Sequence, residues 1–199
     1  NHGEVVVDAW KIDDISNTIG QNLRMSEMEA AVALCQIKKL DHLNSARIEL
    51  ANRISTGLKE LDGLSAPIVR DGCKHVYYFY VMKYDAAIVG MSRDHFVEAI
   101  NAEGYYIRGG YLRPIYLEPM YEQKICFGKD GYPFTVNSRN NEIKYKKGLC
   151  PVAERLNDEE VILTNIIYPP LTIDDMDGFA RAIKKVISQS GQIERYFNK

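Results

Sequence analysis

From Ser26 onward, apolar residues return with the period of an α-helix: Met28, Ala31, Val32, Cys35, then Leu40, Leu43, Ile48, Ala51, Ile54, Leu58 and Leu61. A helix running to Leu61 is roughly 50 Å long at about 1.5 Å per residue, and any fold for this chain has to accommodate that rod. Ser26 followed by Glu29 makes a capping box at its start. The hydroxyl accepts from the amide three residues on, and the carboxylate reaches back to the cap's own amide. Helix formers thin out at Asp41-His42-Leu43-Asn44, which predicts a bend there.

Asp62-Gly63 stops the helix, and Pro67 opens a short extended piece. His75 to Met82 is β-rich and bulky at successive positions, which predicts a central strand covered on both faces. Ser92 caps a helix with Phe96, Val97 and Ile100 on one side, closed by Gly104. Tyr105-Tyr106-Ile107-Arg108 reads as a short strand and Gly109-Gly110 as a flexible turn. From Tyr111 to Gly148, Pro, Gly, Tyr and charge dominate, so a long loop is expected, with Asn137 to Asn141 its mobile part. Pro151 begins a short helix, and Val161 to Ile167 form a strand ended by Pro169-Pro170. Thr172 with Asp175 caps a last helix with Met176, Phe179, Ala180, Ile183, Val186 and Ile187 on its inner face. This order predicts an α+β fold: a small antiparallel or mixed sheet with helices packed on it and one long N-terminal helix.

The chain's 199 residues are 46% hydrophobic, enough for a buried core. A formal charge of −2 argues against an electrostatic nucleic-acid binder. No run is long and apolar enough for a membrane span, and a cytoplasmic protein is expected. The four cysteines, Cys35, Cys73, Cys126 and Cys150, are far apart without a C-x-x-C pair, so they read as reduced thiols. His2, His42 and His95 fall on different elements without ligand spacing, and no metal site is expected.

The stretch Gly20-Gln21-Asn22-Leu23-Arg24-Met25-Ser26-Glu27-Met28-Glu29-Ala30-Ala31 closely resembles the segment that opens the small domain in the DegT/DnrJ/EryC1/StrS family. These are pyridoxal-phosphate-dependent, fold-type-I aminotransferases acting on keto sugars and related rings. The resemblance runs from Asn1-His2-Gly3 through Pro151-Val152-Ala153-Glu154-Arg155 to the last helix. It implies the carboxy-terminal part of a longer, homodimeric enzyme using glutamate or glutamine as donor. Residues 1–20 would be a crossover from a missing large domain, 21–190 the small domain and 191–199 a tail. The lysine that bonds the cofactor would lie in that large domain. Lysines here stand in no S-x-x-K context, and Lys144, Lys146 and Lys147 look like a solvated charge run. The isolated chain is therefore expected to be inactive and not to hold the cofactor.

The resemblance gives Asn22 as a contact to the cofactor phosphate of the other subunit; read from residues alone, it could equally satisfy turn backbone groups. Arg24 suits the same phosphate or a substrate carboxylate through its planar fork, or a structural bridge to Glu27. Met25 and Met28 read as core. The loop Gly109 to Tyr116 occupies the region where similar sugar aminotransferases carry an H-Y-x-P-x-H-like sequence that meets the substrate. Tyr111, Arg113 and Tyr116 are the candidates there. Tyr116 stands where histidine is common, a departure that brings the chain nearer to members acting on cyclitols. The alternative is that both tyrosines pack under the loop. His75, leading the expected strand, is a fourth substrate candidate, with a structural role as its alternative. Two other classes remain: a sheet-based RNA binder using Tyr77 to Tyr80 as a stacking platform, and a non-catalytic dimerisation module of a pseudoenzyme.

Overall fold

The computed structural model describes residues 23–127, 131–136 and 142–198. The chain divides into two units, residues 1–41 and 42–199. Of the first, the described part is the segment 23–26 and the opening of helix α1 (Glu27–Leu58). Both bonds of the capping box are made: Glu29 N–H donates to Ser26 Oγ at 3.3 Å, and Ser26 N–H to Glu29 Oε2 at 2.8 Å. Helical assignment continues through Asp41–Asn44, where a bend was expected, and the boundary between units falls at that point. Met25 and Met28 are 67% and 81% exposed, so neither is core. The expected crossover, residues 1–20, lies outside the described residues.

The second unit is built on a four-stranded antiparallel sheet in the order β1-β2-β4-β3. The strands are β1 (Leu64–Ser65), β2 (Tyr80–Tyr84), β3 (Arg108–Gly109) and β4 (Val161–Thr164). Tyr80 stands opposite Thr164, Lys83 opposite Val161, and Arg108 opposite Leu163. Helices α2 (Arg93–Ala102), α3 (Pro151–Arg155), α4 (Ile173–Ser188) and α5 (Ser190–Phe197) complete it with single-turn pieces. The core joins Ile54 and Leu58 of α1, Tyr80, Met82 and Tyr84 of β2, Phe96 and Ile100 of α2, and Phe179 and Ile183 of α4. Thr172 and Asp175 form the second capping box, as the sequence predicts.

Three differences from expectation have local causes. The strand begins at Tyr80, not His75, because Tyr77 takes φ 51° and its N–H donates to His75 Nδ1 at 2.9 Å, which is turn geometry. Within β2 only Tyr80, Met82 and Tyr84 are buried, so one face is covered rather than both, as antiparallel sheets allow. Within the stretch read as a tail, 191–199, the chain is helical: Ser190–Phe197 form helix α5. His95 stacks on Phe197 with ring centres 4.5 Å apart, and its Nδ1 lies 2.7 Å from Glu194 Oε2.

Candidate functional site

The segment that follows β3 is held by backbone geometry. Gly110 takes φ 63°, a left-handed conformation that glycine adopts without strain. Its N–H donates to Val161 O at 2.8 Å, and the next amide, Tyr111 N–H, donates to Asn157 Oδ1 at 3.0 Å. A side chain on Gly109 would collide with the Arg93 guanidinium, its Cβ falling 2.6 Å from Nε. The Gly109-Gly110 pair is thus a close-packed corner, not the flexible turn expected. Arg93 is itself committed: Nη1 donates to Asn157 O at 2.6 Å and Nη2 to Asp94 Oδ1 at 3.0 Å.

From this corner Tyr111, half exposed, edges against Phe79 with ring centres 5.7 Å apart. The Arg108 guanidinium carbon lies 5.4 Å from the Phe79 centroid and 5.3 Å from that of Tyr111. These three distances make a near-equilateral triangle, so both rings lie to one side of the cation. Tyr111 through Ile115, with Glu118, line a surface cleft of about 610 Å³. Arg113 is in that lining and pairs with Glu122 at 3.3 Å.

Tyr116 has a different place. Its hydroxyl donates to Glu154, a buried carboxylate that also accepts from Gly148 N–H at 2.8 Å and Cys150 N–H at 3.2 Å. The Tyr116 hydroxyl, followed by these amides, holds the Glu154 carboxyl below its usual range despite burial. Burial, reinforced by the carboxylate, pushes the Tyr116 hydroxyl up to about 12, so it stays a donor across the neutral range. His75 is spent on the turn before β2, where it also meets the Tyr77 ring at 4.1 Å. Thus Tyr111 and Arg113 share the cleft, while Tyr116 braces the loop and His75 supports another turn. Phe79, Arg108, Asn157 and Glu154, absent from the sequence-based candidates, organise the region.

At the other candidate locus, Arg24 lies in the exposed segment before α1, and Asn22 lies outside the described residues. At the start of α1 the Glu29 carboxylate accepts from the Ser26 N–H, with Glu27 beside it. Ser26's backbone N–H, then its hydroxyl, hold the Glu29 carboxyl below its usual range, so it carries negative charge near neutral pH. Donors placed before the cap, an amide and a guanidinium, remain chemically suited to a phosphate. Among the described residues no His, Cys, Asp and Glu group forms a metal cluster, and no helix is long and apolar enough to cross a membrane. Tyr77 and Tyr80 are buried at 3% and 0% exposure, which removes half of the imagined stacking platform.

Comparison with known proteins gives this arrangement a context. The DesI structure solved in the presence of its TDP-sugar product matches 98% of this chain and 44% of its own, at TM-score 0.67 and 17% identity. That likeness places the fold with the fold-type-I aminotransferases. Among curated relatives, the spore coat polysaccharide biosynthesis protein SpsC of Bacillus subtilis is 26% identical over 84% of this chain. An L-glutamine:3-amino-2,3-dideoxy-scyllo-inosose aminotransferase assigned in Streptomyces kanamyceticus is 30% identical over 80%. The chain spans 38% of the length of each of these two relatives. The profile of the DegT/DnrJ/EryC1/StrS aminotransferase family matches residues 1–184, close to the whole chain. With the sheet, the helical layer and the motif at Asn22 to Ala31 in agreement, the chain belongs to the DegT/DnrJ/EryC1/StrS aminotransferase family.

Proposed function

We propose that this chain is the carboxy-terminal part of a pyridoxal-phosphate-dependent aminotransferase that aminates a keto cyclitol or a keto sugar, nucleotide-linked in the latter case, with glutamate or glutamine as donor. The observation that carries the reading is Tyr111: a ring fixed by backbone bonds at its root, presented at the wall of an open cleft beside Arg113. A fixed aromatic face next to polar groups suits a polyhydroxylated ring, which offers C–H faces as well as hydroxyls. Bound pyridoxal phosphate supplies the electron sink that makes amino transfer feasible. Asn22 and Arg24 would hold its phosphate for a neighbouring subunit, and the large domain would complete the site.

The test uses the full-length enzyme, offered a panel of inososes and keto sugars with glutamate or glutamine, and follows amino product by mass spectrometry. Product from at least one acceptor is expected; none across the panel overturns the reading. In that enzyme, Asn22→Ala should weaken cofactor retention by about 1–3 kcal/mol, the scale of a hydrogen bond to a charged group. Unchanged retention would remove Asn22 from the site. The chain alone, mixed with pyridoxal phosphate, should develop no stoichiometric lysine-bound absorbance.

A further inference from the structure

Arg108 is the unusual arginine of the second unit. Three described arginines there are at least partly buried: Arg47, Arg93 and Arg108. Arg47 donates to Tyr77 O at 3.3 Å, and Arg93 donates to Asn157 O and pairs with Asp94. Arg108 has no acceptor for its guanidinium among the described residues; its contacts are the two rings of Phe79 and Tyr111. Aromatic faces compensate a guanidinium's charge in part, but they leave its five N–H donors unsatisfied. Withdrawing such donors even partly from water without an acceptor is costly, so a purely structural arginine here would be expected to turn toward a carbonyl, as Arg47 and Arg93 do.

The surroundings hold the cation in place. Its backbone pairs with β4 opposite Leu163, Tyr111 is pinned through Asn157, and Arg93 packs against the adjoining Gly109. The carboxylate of Asp94 is committed to Arg93. Both rings lie to one side of the Arg108 guanidinium, and a guanidinium edge turned away from them suits a planar oxyanion through two parallel N–H bonds.

We infer that Arg108 anchors an oxyanion group of a reactant, backed by the Phe79–Tyr111 corner: a carboxylate of the amino donor or a phosphate of a nucleotide-linked acceptor. This rests on the aminotransferase reading for the identity of the reactants, not for the presence of the anion site. The experiment titrates the full-length protein with glutarate and, separately, with inorganic pyrophosphate. It follows heat and the Arg108 Nε–H resonance, assigned by its loss in Arg108→Lys. One of the two anions should shift that resonance and lose at least about tenfold in affinity in Arg108→Gln, with partial recovery in Arg108→Lys. Response to glutarate assigns the donor carboxylate, and response to pyrophosphate assigns the acceptor phosphate. An unmoved resonance with both anions overturns the inference even if the variants fold poorly, since that reading is taken on the unaltered protein. A protein that turns over no keto ring yet binds an anion through Arg108 would sink the functional proposal and leave this one standing.

Discussion

In the second half of α1, Ala51 and Ile54 have no exposed surface and Leu58 has 2%; in the first half Met28, Val32 and Ile37 are 81%, 62% and 66% exposed. Both halves carry apolar residues at helical spacing. The second lays Leu50, Ile54 and Leu58 along one stripe, which enters the core with β2 and α4. The first is apolar on more than one side, because Leu34 and Ile37 lie well around the helix from Met28 and Val32 at about 100° per residue. Periodicity decides that these residues make a helix; it does not decide what covers them. A helix apolar on several sides is the kind normally found inside protein, which fits the proposal that this chain is one part of a longer enzyme.

The largest effect should come from the core. Ile54→Ala is expected to lower unfolding free energy by about 2–5 kcal/mol in denaturant titrations, whereas Val32→Ala in this chain should stay within about 0.5 kcal/mol. Similar costs at both positions would break the contrast. In the proposed longer enzyme, a cost at Val32 that rises toward the core value would sharpen it, by showing that further chain supplies the cover.

The two capping boxes give a smaller test. Thr172→Ala removes the cap of α4, a helix whose Phe179 and Ile183 are fully buried, and should cost about 1 kcal/mol of global stability. Ser26→Ala should reduce helical signal while leaving the unfolding midpoint unchanged, because the turn it caps carries no buried residue.

Acid should separate the same two sites by the least. Thr172's hydroxyl, then its N–H, hold the Asp175 carboxyl below the usual range, as Ser26's N–H and hydroxyl do for Glu29. A carboxylate whose folded pKa is depressed contributes stability that is fully present above its unfolded value, near 4, and lost as pH falls through the folded value. Asp175→Asn should therefore flatten the acid limb of a melting-temperature profile below about pH 4, and Glu29→Gln should leave that limb unaltered.

Local chemistry made much of the frame legible. Ser26 with Glu29 and Thr172 with Asp175 mark helix starts by spacing alone, and both boxes form as read. The motif at Asn22 to Ala31 carried the family. Less visible were features made by residues far apart in sequence. The string Tyr77 to Tyr80 is strand-like by composition, yet His75 turns the chain back on Tyr77 and only Tyr80 joins the sheet. Tyr116 is a substrate candidate by sequence, and the bond its hydroxyl makes to Glu154, 38 positions away, shows only in the fold. Arg108 showed no signal at all, because what distinguishes it is that no acceptor for its guanidinium stands among the described residues, which only the folded arrangement reveals.

Glu154 has one more implication. By taking Tyr116 at one end and the amides of Gly148 and Cys150 at the other, it fastens both ankles of the intervening segment to the same peg. A segment clamped in this way can gain or lose residues cheaply, since the entropic cost of a longer loop grows only with the logarithm of its length. Evolution could thus retailor the stretch between for a new ring without loosening the sheet beneath, and family members that differ in substrate should differ most in length there.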